Sequence, residues 1–360
     1  MTRITPQPGI MDIALYQGGA SHLAGVSEVL KLSSNENPAG PPPAAIDALS
    51  QAARDMHLYP STDHAALRTA IAEVWTVDAD RVICGVGSDE VLQFVTQAFS
   101  GPGDEIIHTA HGFSMYPILA NMAGATPVCV PEADRVVDVD AILGAVTERT
   151  RIVLLTNPGN PTGTRLPDEE IVRLADSLPE HVILVIDGAY TEYAEGYDGG
   201  RGLAETRPNV LMTRTFSKIY GLGGLRVGWG YGPKDMIDVM TRIRQPFNLS
   251  TVALAAAEAA VRDVQWVEAC AELNADQRAR LTGALRQLGL ACDDSDTNFV
   301  LARAASVAEA DEAEAALNAD GILVRRVGGY GFPEGIRITV GNAEQTGRVI
   351  AALTEWRNAS

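Results

Sequence analysis

Between about residue 80 and residue 231, short apolar runs alternate with stretches of helical periodicity. The runs that resemble buried β-strands are Val82–Cys84, Glu105–His108, Thr126–Val130, Ile152–Leu155, Val182–Ile186, Val210–Thr213 and Arg226–Gly230. Because strands that alternate with helices form a mostly parallel sheet covered on both faces, this region is predicted to be a layered α/β unit. The connection before Arg226–Gly230 is too short for a crossover helix, which predicts that this strand is antiparallel to its neighbours.

The chain changes character after Pro246, where Ala-rich helical stretches alternate with strands. The predicted elements are the helices Thr251–Asp263, Gln265–Leu288 and Ser306–Ala319 and the strands Phe299–Ala302, Ile322–Val327 and Ile336–Val340. A chain of 360 residues is long for one core. We therefore predict a large domain over residues 46–245 and a smaller α+β domain over residues 246–360, on which the irregular segment 1–45 packs.

The composition excludes several classes of function. A net charge of −18 argues against binding to nucleic acids or to anionic membranes, although a locally positive pocket can still take an anionic substrate. The four cysteines are scattered without a C-x-x-C pair, and none of the six histidines has metal-ligand spacing. No long apolar segment or signal peptide is recognised, so a soluble cytoplasmic protein without a metal site is expected.

Lys218, one of only three lysines in the chain, lies in the run Thr215–Lys218. Arginine supplies nearly all of the other positive charge, and arginine cannot form a Schiff base because its guanidinium stays protonated. The hydroxyls of Thr215 and Ser217 and the cation of Arg226 surround this amine in sequence. A phosphate anchored beside a carbonyl fits these groups, which points to pyridoxal 5'-phosphate (PLP). The simpler alternative is an exposed surface lysine.

The segment Gly85–Glu90 follows a predicted strand and precedes a helix predicted over Val91–Phe99. Ser88 is a good N-cap residue, and the backbone N–H groups at such a helix start form an anion site that the helix dipole reinforces. This segment predicts a place for a phosphate, although many helices of α/β proteins begin in the same way.

Two further runs place polar side chains at the carboxyl ends of predicted strands. Asp187 follows Val182–Ile186, at the sheet edge where open α/β sheets bind ligands. It can keep a pyridine nitrogen protonated, while Tyr190 can hydrogen-bond the ring's phenolic oxygen. A helix-capping aspartate with a partly buried tyrosine is the simpler alternative. Asn160 begins the second of two Asn-Pro turns in the run Asn157–Gly163, and these turns, separated by one glycine, present its amide at the same edge.

The order of these motifs resembles that of the fold-type I, PLP-dependent aminotransferases, and most closely that of the histidinol-phosphate aminotransferase family. The motifs that carry the resemblance are Gly-Ser-Asp-Glu at 87–90, Asn-Pro-Gly-Asn-Pro-Thr-Gly at 157–163, Asp-Gly-Ala-Tyr at 187–190, Ser-Lys at 217–218, Gly-Leu-Arg at 224–226, Leu32–Pro38, Tyr59-Pro60, Phe113–Tyr116 and Arg337–Gly341. The resemblance covers about Tyr16 to Val340. It implies a large domain with a mostly parallel seven-stranded sheet and a smaller α+β domain.

The resemblance implies a role for each residue around the PLP ring. Lys218 is implied to bind the cofactor covalently, and Asp187 is implied to pair with the pyridine nitrogen. Asn160 and Tyr190 are implied to contact the ring oxygen, so that Lys218, Asp187 and Tyr190 form the catalytic set. Phe113 stands where relatives often have a tyrosine that stacks on the ring. We expect the stacking to be kept and any role of the hydroxyl to be lost.

The resemblance also assigns the residues that hold the cofactor phosphate. They are Ser88 and Asp89 through their backbone groups, Thr215, Ser217 and Arg226. Tyr59 is implied to reach the phosphate in the partner subunit's site. This predicts a homodimer in which each active site is shared between two subunits.

Arg325 and Arg337 are the candidates for binding the anionic group of the substrate. Arg337 faces away from the apolar side of its predicted strand. The glycine-rich connection Gly328–Gly335 returns one strand alongside the other, which brings Arg325 near Arg337. By strand alternation, Arg326 points away from Arg325, so we expect it outside the pocket. A solvated strand face is the alternative for these arginines.

The activity that the resemblance implies is transamination of L-histidinol phosphate with 2-oxoglutarate, which gives imidazole-acetol phosphate and glutamate. Tyr16 and Asn35 are further substrate-binding candidates. An aromatic amino-acid aminotransferase is the nearest alternative, since both donors present a flat ring and an anion. A PLP-dependent decarboxylase of threonine phosphate shares the cofactor motifs. A non-enzymatic PLP-fold domain fused to a regulator is disfavoured, since no DNA-binding segment is recognised.

Overall fold

Helices and strands alternate along this computed structural model, which describes residues 4–6, 9–13, 15, 22–23 and 28–359. The strands are β1 (Leu30–Lys31), β2 (Val82–Gly85), β3 (Glu105–Thr109), β4 (Thr126–Val130), β5 (Glu132–Ala133), β6 (Val136–Val137), β7 (Thr150–Thr156), β8 (Ile183–Asp187), β9 (Val210–Thr215), β10 (Gly228–Tyr231), β11 (Ala291–Cys292), β12 (Phe299–Arg303), β13 (Ile322–Leu323), β14 (Arg325–Val327) and β15 (Phe332–Thr339). The α-helices are α1 (Pro43–Ala52), α2 (Ala65–Trp75), α3 (Gly87–Phe99), α4 (Met115–Ala123), α5 (Val139–Ala145), α6 (Asp168–Ser177), α7 (Arg201–Thr206), α8 (Lys234–Ile243), α9 (Thr251–Arg262), α10 (Val264–Gln287), α11 (Val307–Ala319) and α12 (Ala343–Ala359).

A seven-stranded sheet in the order β2-β10-β9-β8-β7-β3-β4 forms the larger layer. The central pairs are parallel, and β10 is antiparallel to both β2 and β9, as the short connection predicted. Side chains of one strand alternate between two apolar cores: Val153 and Leu155 belong to one, and Ile152 and Leu154 to the other. The sheet is therefore buried on both faces, which explains its continuous apolar runs. The predicted fold class is confirmed.

The predicted strand Arg226–Gly230 begins later than expected, at Gly228. Arg226 has a φ of 55° and ends a short 3-10 turn instead. A Cβ atom at Gly228 would lie 2.1 Å from the backbone nitrogen of Ser88, so only glycine lets β10 pass this close to the start of α3. Arg226 therefore lies outside the sheet, where its guanidinium reaches toward α3.

A second, four-stranded antiparallel sheet in the order β11-β12-β15-β14 has its own apolar core. The predicted strand Ile322–Val327 is divided at Val324 in the structure. Its first part, β13, pairs in parallel with β1, whereas its second part, β14, pairs with β15. The N-terminal segment thus adds to the second layer through β1, and Leu32 is buried in the same core.

The helix α9 packs against the larger layer. Ala253, Ala256 and Ala260 are buried in the core that also contains side chains of the seven-stranded sheet. The sequence placed this helix in the smaller domain, and the boundary near residue 245 remains a prediction. Within the described part of the chain, no helix is long and apolar enough to cross a lipid bilayer.

A buried ion pair joins β9 to the segment that follows β8. Arg214 is completely buried, and its Nη1 donates to the Glu192 carboxylate at 3.2 Å. Its Nη2 donates to the carbonyl oxygen of Asp198 at 2.6 Å, and its guanidinium lies 3.9 Å from the centre of the Trp75 ring. Because Glu192 follows Tyr190 by two residues, this pair helps to fix the loop at the carboxyl end of β8.

We expect Arg214→Met to destabilise the protein by about 3–5 kcal/mol, because it leaves the Glu192 charge buried without its partner. The double variant Arg214→Met/Glu192→Leu should recover most of this loss. Thermal and urea unfolding followed by circular dichroism measures both effects. The control is Arg173→Met, which removes an exposed pair with Glu170 and should cost much less than Arg214→Met. If Arg214→Met lost no more unfolding free energy than the control variant, the Glu192 carboxylate would not be a buried charge that needs Arg214 as its partner.

Candidate active site

A cavity of about 200 Å³ opens at the carboxyl ends of the central parallel strands and is lined by residues of both sheets. The predicted residues that line it are Asn35, Ser88, Asp89, Phe113, Asn160, Asp187, Tyr190, Thr215, Ser217, Lys218, Arg226, Arg325 and Arg337. Ser33, Ser34, Thr156, Ala189 and Tyr330 also line it, although none of them was predicted as a site residue. Tyr16, another substrate candidate, lies outside the described residues.

One end of the cavity combines a helix start with hydroxyl and guanidinium groups. Arg226 donates from Nη1 to the Ser217 hydroxyl at 2.9 Å and from Nη2 to Asp89 Oδ2 at 3.0 Å. Thr215 lies at the end of β9, and its hydroxyl accepts from the backbone N–H of Ser217. The first backbone N–H groups of an α-helix have no partner within the helix, so those of α3 are available to an anion. This end of the cavity is suited to a phosphate group.

The prediction that Ser88 is the N-cap of α3 is wrong, because the helix begins at Gly87 with Val86 as its N-cap. Gly87 has a φ of 77°, and a Cβ atom there would lie 2.6 Å from Arg226 Nη2. The glycine lets the chain turn into the helix before Ser88. The side chain of Glu90 caps the first turn instead, because the Val86 N–H donates to Glu90 Oε2 at 2.7 Å. Ser88 still lines the cavity from within this turn.

Asp187 is the last residue of β8 and is buried. Its Oδ2 accepts a hydrogen bond from the Tyr116 hydroxyl at 2.9 Å, and its Oδ1 accepts one from the Thr213 hydroxyl at 3.1 Å. Burial raises the pKa of Asp187 to about 6, although both hydrogen bonds act to lower it. At neutral pH the group is an anion in a poorly solvated place, which favours a cationic partner such as a protonated ring nitrogen.

Lys218 reaches the cavity from the turn after β9. Its Nζ donates to the carbonyl oxygen of Ser34 at 3.1 Å and lies 5.7 Å from the centre of the Tyr190 ring. Burial, and secondarily the positive charge of Arg337, lowers the pKa of Lys218 to about 8. A substantial fraction of this amine is therefore neutral near physiological pH, which is the form that attacks a carbonyl or accepts a proton.

Arg337 is a buried arginine that connects three segments around the cavity. Its Nη1 donates to Asn160 Oδ1 at 2.6 Å, and its Nη2 donates to the carbonyl oxygen of Ser33 at 3.1 Å. The guanidinium also lies 5.2 Å from the centre of the Phe299 ring. Arg337 fixes which way the Asn160 amide points, because it donates to Oδ1, and Nδ2 is the side-chain donor of Asn160.

Asn35 lines the cavity and orients Tyr190. Its Nδ2 donates to the Tyr190 hydroxyl at 2.9 Å, and its Oδ1 accepts from the Thr339 hydroxyl at 3.2 Å. The Asn35 N–H donates to the same Thr339 hydroxyl, and Asn298 donates to the Asn35 carbonyl oxygen at 2.9 Å. These bonds hold Asn35 in a left-handed conformation with a φ of 57°. Its contribution to substrate binding stays a prediction.

Arg325 and Arg337 are directly opposite each other on the neighbouring strands β14 and β15. Both line the cavity, as the strand pattern predicted. Arg326 is directed elsewhere: its guanidinium pairs with Asp311 and Glu314 and donates to the carbonyl oxygen of Pro333. It is not among the residues of this cavity, which agrees with the alternation of side chains along a strand.

Tyr59 is the one described candidate that lies away from the cavity of its own chain. Its side chain is highly exposed, at 83%, and its ring stacks on Phe247 with 4.7 Å between ring centres. Phe113, in contrast, lines the cavity and contacts Tyr116 edge to face, with 5.9 Å between ring centres.

Sequence analysis missed the two residues that hold Asp187. Thr213 is opposite Asp187 in the register between β8 and β9, so its position follows once the strand order is known. Tyr116 comes from α4 and was noted only as part of a motif. Its hydroxyl also contacts Thr156 Oγ1 at 2.5 Å, which places Tyr116 between two strands of the sheet. No local pattern in the sequence indicates this contact.

The chain matches the protein family described as aminotransferase class I and II over residues 27–353. It is 62% identical over 359 residues to a histidinol-phosphate aminotransferase of Ruegeria pomeroyi, and the alignment covers 100% of this chain and 99% of that protein. A histidinol-phosphate aminotransferase of Jannaschia sp. is also 62% identical, over 98% of each chain. The resemblance predicted from the motifs is confirmed.

Solved structures agree in fold over nearly the whole chain. The histidinol-phosphate aminotransferase from Sinorhizobium meliloti in complex with pyridoxal-5'-phosphate has a TM-score of 0.90 at 28% identity and covers 100% of this chain and 98% of that chain. The aspartate aminotransferase from Thermus thermophilus with maleate has a TM-score of 0.79 at 25% identity and covers 92% of each chain.

We expect Lys218→Met to stabilise the cofactor-free protein at pH 7 by up to about 3 kcal/mol, because each unit of pKa depression corresponds to about 1.4 kcal/mol. The folded-state pKa of about 8 lies below the unfolded value of about 10.4. The wild type therefore gains stability between these two pH values, and the advantage of the variant should decline over that window.

Urea unfolding without cofactor at several pH values from 7 to 10 measures this difference. Lys234→Met, which removes an exposed amine paired with Asp238, is the control and should show no such decline. A pH-independent difference for Lys218→Met would mean that Lys218 titrates like an exposed lysine.

Proposed function

Because this chain belongs to the aminotransferase class I and II family, we propose that it catalyses the PLP-dependent transamination of L-histidinol phosphate, with 2-oxoglutarate as the amino acceptor. The proposal rests above all on the placement of Arg325 and Arg337 on paired strands, in the same cavity as Lys218 and Asp187. A donor that carries a phosphate needs such a pair of cations near the amine chemistry.

The groups in the cavity fit PLP. Lys218 offers a primary amine of lowered pKa, and Asp187 offers a buried carboxylate for the ring nitrogen. The start of α3 and the Ser217–Arg226 pair form the phosphate end, and Gly87 leaves room there for the Arg226 guanidinium, which a Cβ atom would meet. When bound, PLP supplies an electron sink that stabilises negative charge at the donor's α carbon.

The residues of the chain would control the movement of protons around that carbon. Lys218 Nζ would accept and return the α proton of the donor, and its pKa of about 8 supports this role because both forms are populated near neutral pH. Asp187 stays ionised above about pH 6 and would hold a proton on the ring nitrogen. Tyr116 and Thr213 orient this carboxylate through their hydrogen bonds.

The two arginines would bind the anionic groups of the substrates. A phosphate monoester is close to dianionic at neutral pH, and planar guanidinium groups recognise it through several hydrogen bonds. We assign the phosphate to Arg325 and Arg337 together, and the carboxylate of 2-oxoglutarate or glutamate chiefly to Arg337. The same place would then serve both halves of the reaction.

A homodimer with shared sites is also part of the proposal. Met56, Leu58 and Tyr59 are highly exposed, and Tyr59 stacks on the partly exposed Phe247. A cluster of exposed apolar side chains indicates a protein interface. Since Tyr59 is remote from the cavity of its own chain, it would serve the cofactor phosphate of the neighbouring subunit.

The direct test of the function is side-by-side turnover of histidinol phosphate, phenylalanine and threonine phosphate by the PLP-loaded enzyme. We expect the highest kcat/KM for histidinol phosphate, with glutamate formed from 2-oxoglutarate. A preference for phenylalanine would make the protein an aromatic amino-acid aminotransferase. Release of carbon dioxide from threonine phosphate would make it a decarboxylase.

Arg325→Ala should raise KM for histidinol phosphate by at least about tenfold, which corresponds to the loss of roughly 1.5–3 kcal/mol from a charged hydrogen bond. Activity on phenylalanine should change much less, because a single carboxylate would depend chiefly on Arg337. The matched control is Arg326→Ala, whose arginine is paired with Asp311 outside this cavity. An equal loss on both donors in Arg325→Ala would assign Arg325 a general structural role.

Tyr59→Phe should weaken PLP affinity, and mixing it with Lys218→Ala under conditions of subunit exchange should restore activity. In a mixed dimer, one site combines an intact Lys218 with an intact Tyr59 from the other subunit. Activity of the mixture is compared with that of each variant alone at equal total protein. If mixing gives no gain, Tyr59 does not act across the subunit interface.

A further inference from the structure

Tyr330 lies between the candidate active site and a second cavity of about 510 Å³. Tyr330 and Arg325 line both cavities. The second cavity is lined by apolar side chains, among them Ile13, Pro117 and Ile118, and also by the charged Asp12, Arg325 and Arg326. A donor whose side chain extends past Tyr330 would enter this space.

The ring of Tyr330 is held in place from the side of the larger sheet. Its hydroxyl shares a hydrogen bond with the Ser114 hydroxyl at 3.0 Å, and its carbonyl oxygen accepts from His111 Nδ1 at 2.6 Å. Only 8% of the residue is exposed. Ser114 and His111 follow β3, whereas Tyr330 lies in the 3-10 turn Gly328–Tyr330 between β14 and β15. The tyrosine therefore closes the wall between the cavities by bridging the two layers.

Because the active-site cavity is small, the position of its wall at Tyr330 determines how large a donor can fit. Pockets for a single small ligand usually have about 300–1,000 Å³. The cavity here has about 200 Å³ and would have to take a cofactor and a donor together. The space next to it, beyond Tyr330, is larger. The position of this one ring thus limits the size of donor that fits.

We propose that Tyr330 is a specificity-determining residue whose ring sets the largest donor side chain that the active site accepts. Donors with a single small ring fit on the near side of Tyr330, and donors with a fused two-ring side chain are excluded by it. The inference rests on the proposed aminotransferase function and adds the size class of its donors.

The test compares Tyr330→Ala with Tyr330→Phe in the PLP-loaded enzyme. The readout is the kcat/KM for tryptophan divided by that for phenylalanine. Tyr330→Ala should raise this ratio by at least about tenfold, the scale on which pocket size discriminates between apolar groups. Tyr330→Phe keeps the ring and should leave the ratio within about threefold of the wild type. Ser114→Ala removes the same hydrogen bond from the other side and should match Tyr330→Phe.

A binding measurement makes the test independent of turnover. The affinities of indole-3-propionate and 3-phenylpropionate are measured by calorimetry, and the indole compound should gain relative to the phenyl compound only when the ring is removed. If Tyr330→Ala does not fold, Tyr330→Leu, which also removes the ring, replaces it in both measurements. Unchanged ratios of both turnover and affinity after removal of the ring would overturn the proposal. A wild type that transaminates no amine would refute the proposed function, while the affinity ratio would still decide the role of Tyr330.

Discussion

The hydrogen bonds of the buried Arg337 hold the walls of the active site together. Arg337 lies on β15 of the smaller sheet, Asn160 follows β7 of the larger one, and Ser33 follows β1. A buried guanidinium is costly without partners, so both acceptors are needed to stabilise it there. The same side chain lines the active-site cavity. A substitution of Arg337 would therefore change both architecture and binding, which makes Arg325 the better probe of substrate recognition.

The electrostatics of the cavity differ from those of the whole molecule. The chain carries a net charge of −18, yet Lys218, Arg226, Arg325 and Arg337 all line this cavity. Burial lowers the pKa of Lys218 to about 8 and raises that of Asp187 to about 6. Both shifts have the same cause, the poor solvation of a charged group. It lowers the pKa of the lysine and raises the pKa of the aspartate, so both values move toward 7. The shift of Lys218 suits a group that moves protons near neutral pH, whereas Asp187 stays mostly ionised there.

Local sequence patterns predicted the features that depend on short-range geometry. Asp187 stands at the end of an apolar run, so its place at the sheet edge followed from the strand alone, whereas Lys218 was recognised from the scarcity of lysines and from its flanking hydroxyls and arginine. The opposition of Arg325 and Arg337 followed from strand alternation and a glycine-rich connection. The errors arose where a single backbone conformation departs from the pattern. The positive φ of Gly87 moves the start of α3 before Ser88, and that of Arg226 delays the start of the predicted strand to Gly228.

The sequence by itself determined the layered fold, the chemical groups of the site and the edge of the sheet at which they gather, because periodicity and strand ends specify which face each side chain occupies. Only the tertiary structure decided which groups touch. Tyr116 meets Asp187 across 71 positions of sequence, and Ser114 meets Tyr330 across 216. Periodicity carries no information about such partners, because each contact depends on how separate layers pack against each other.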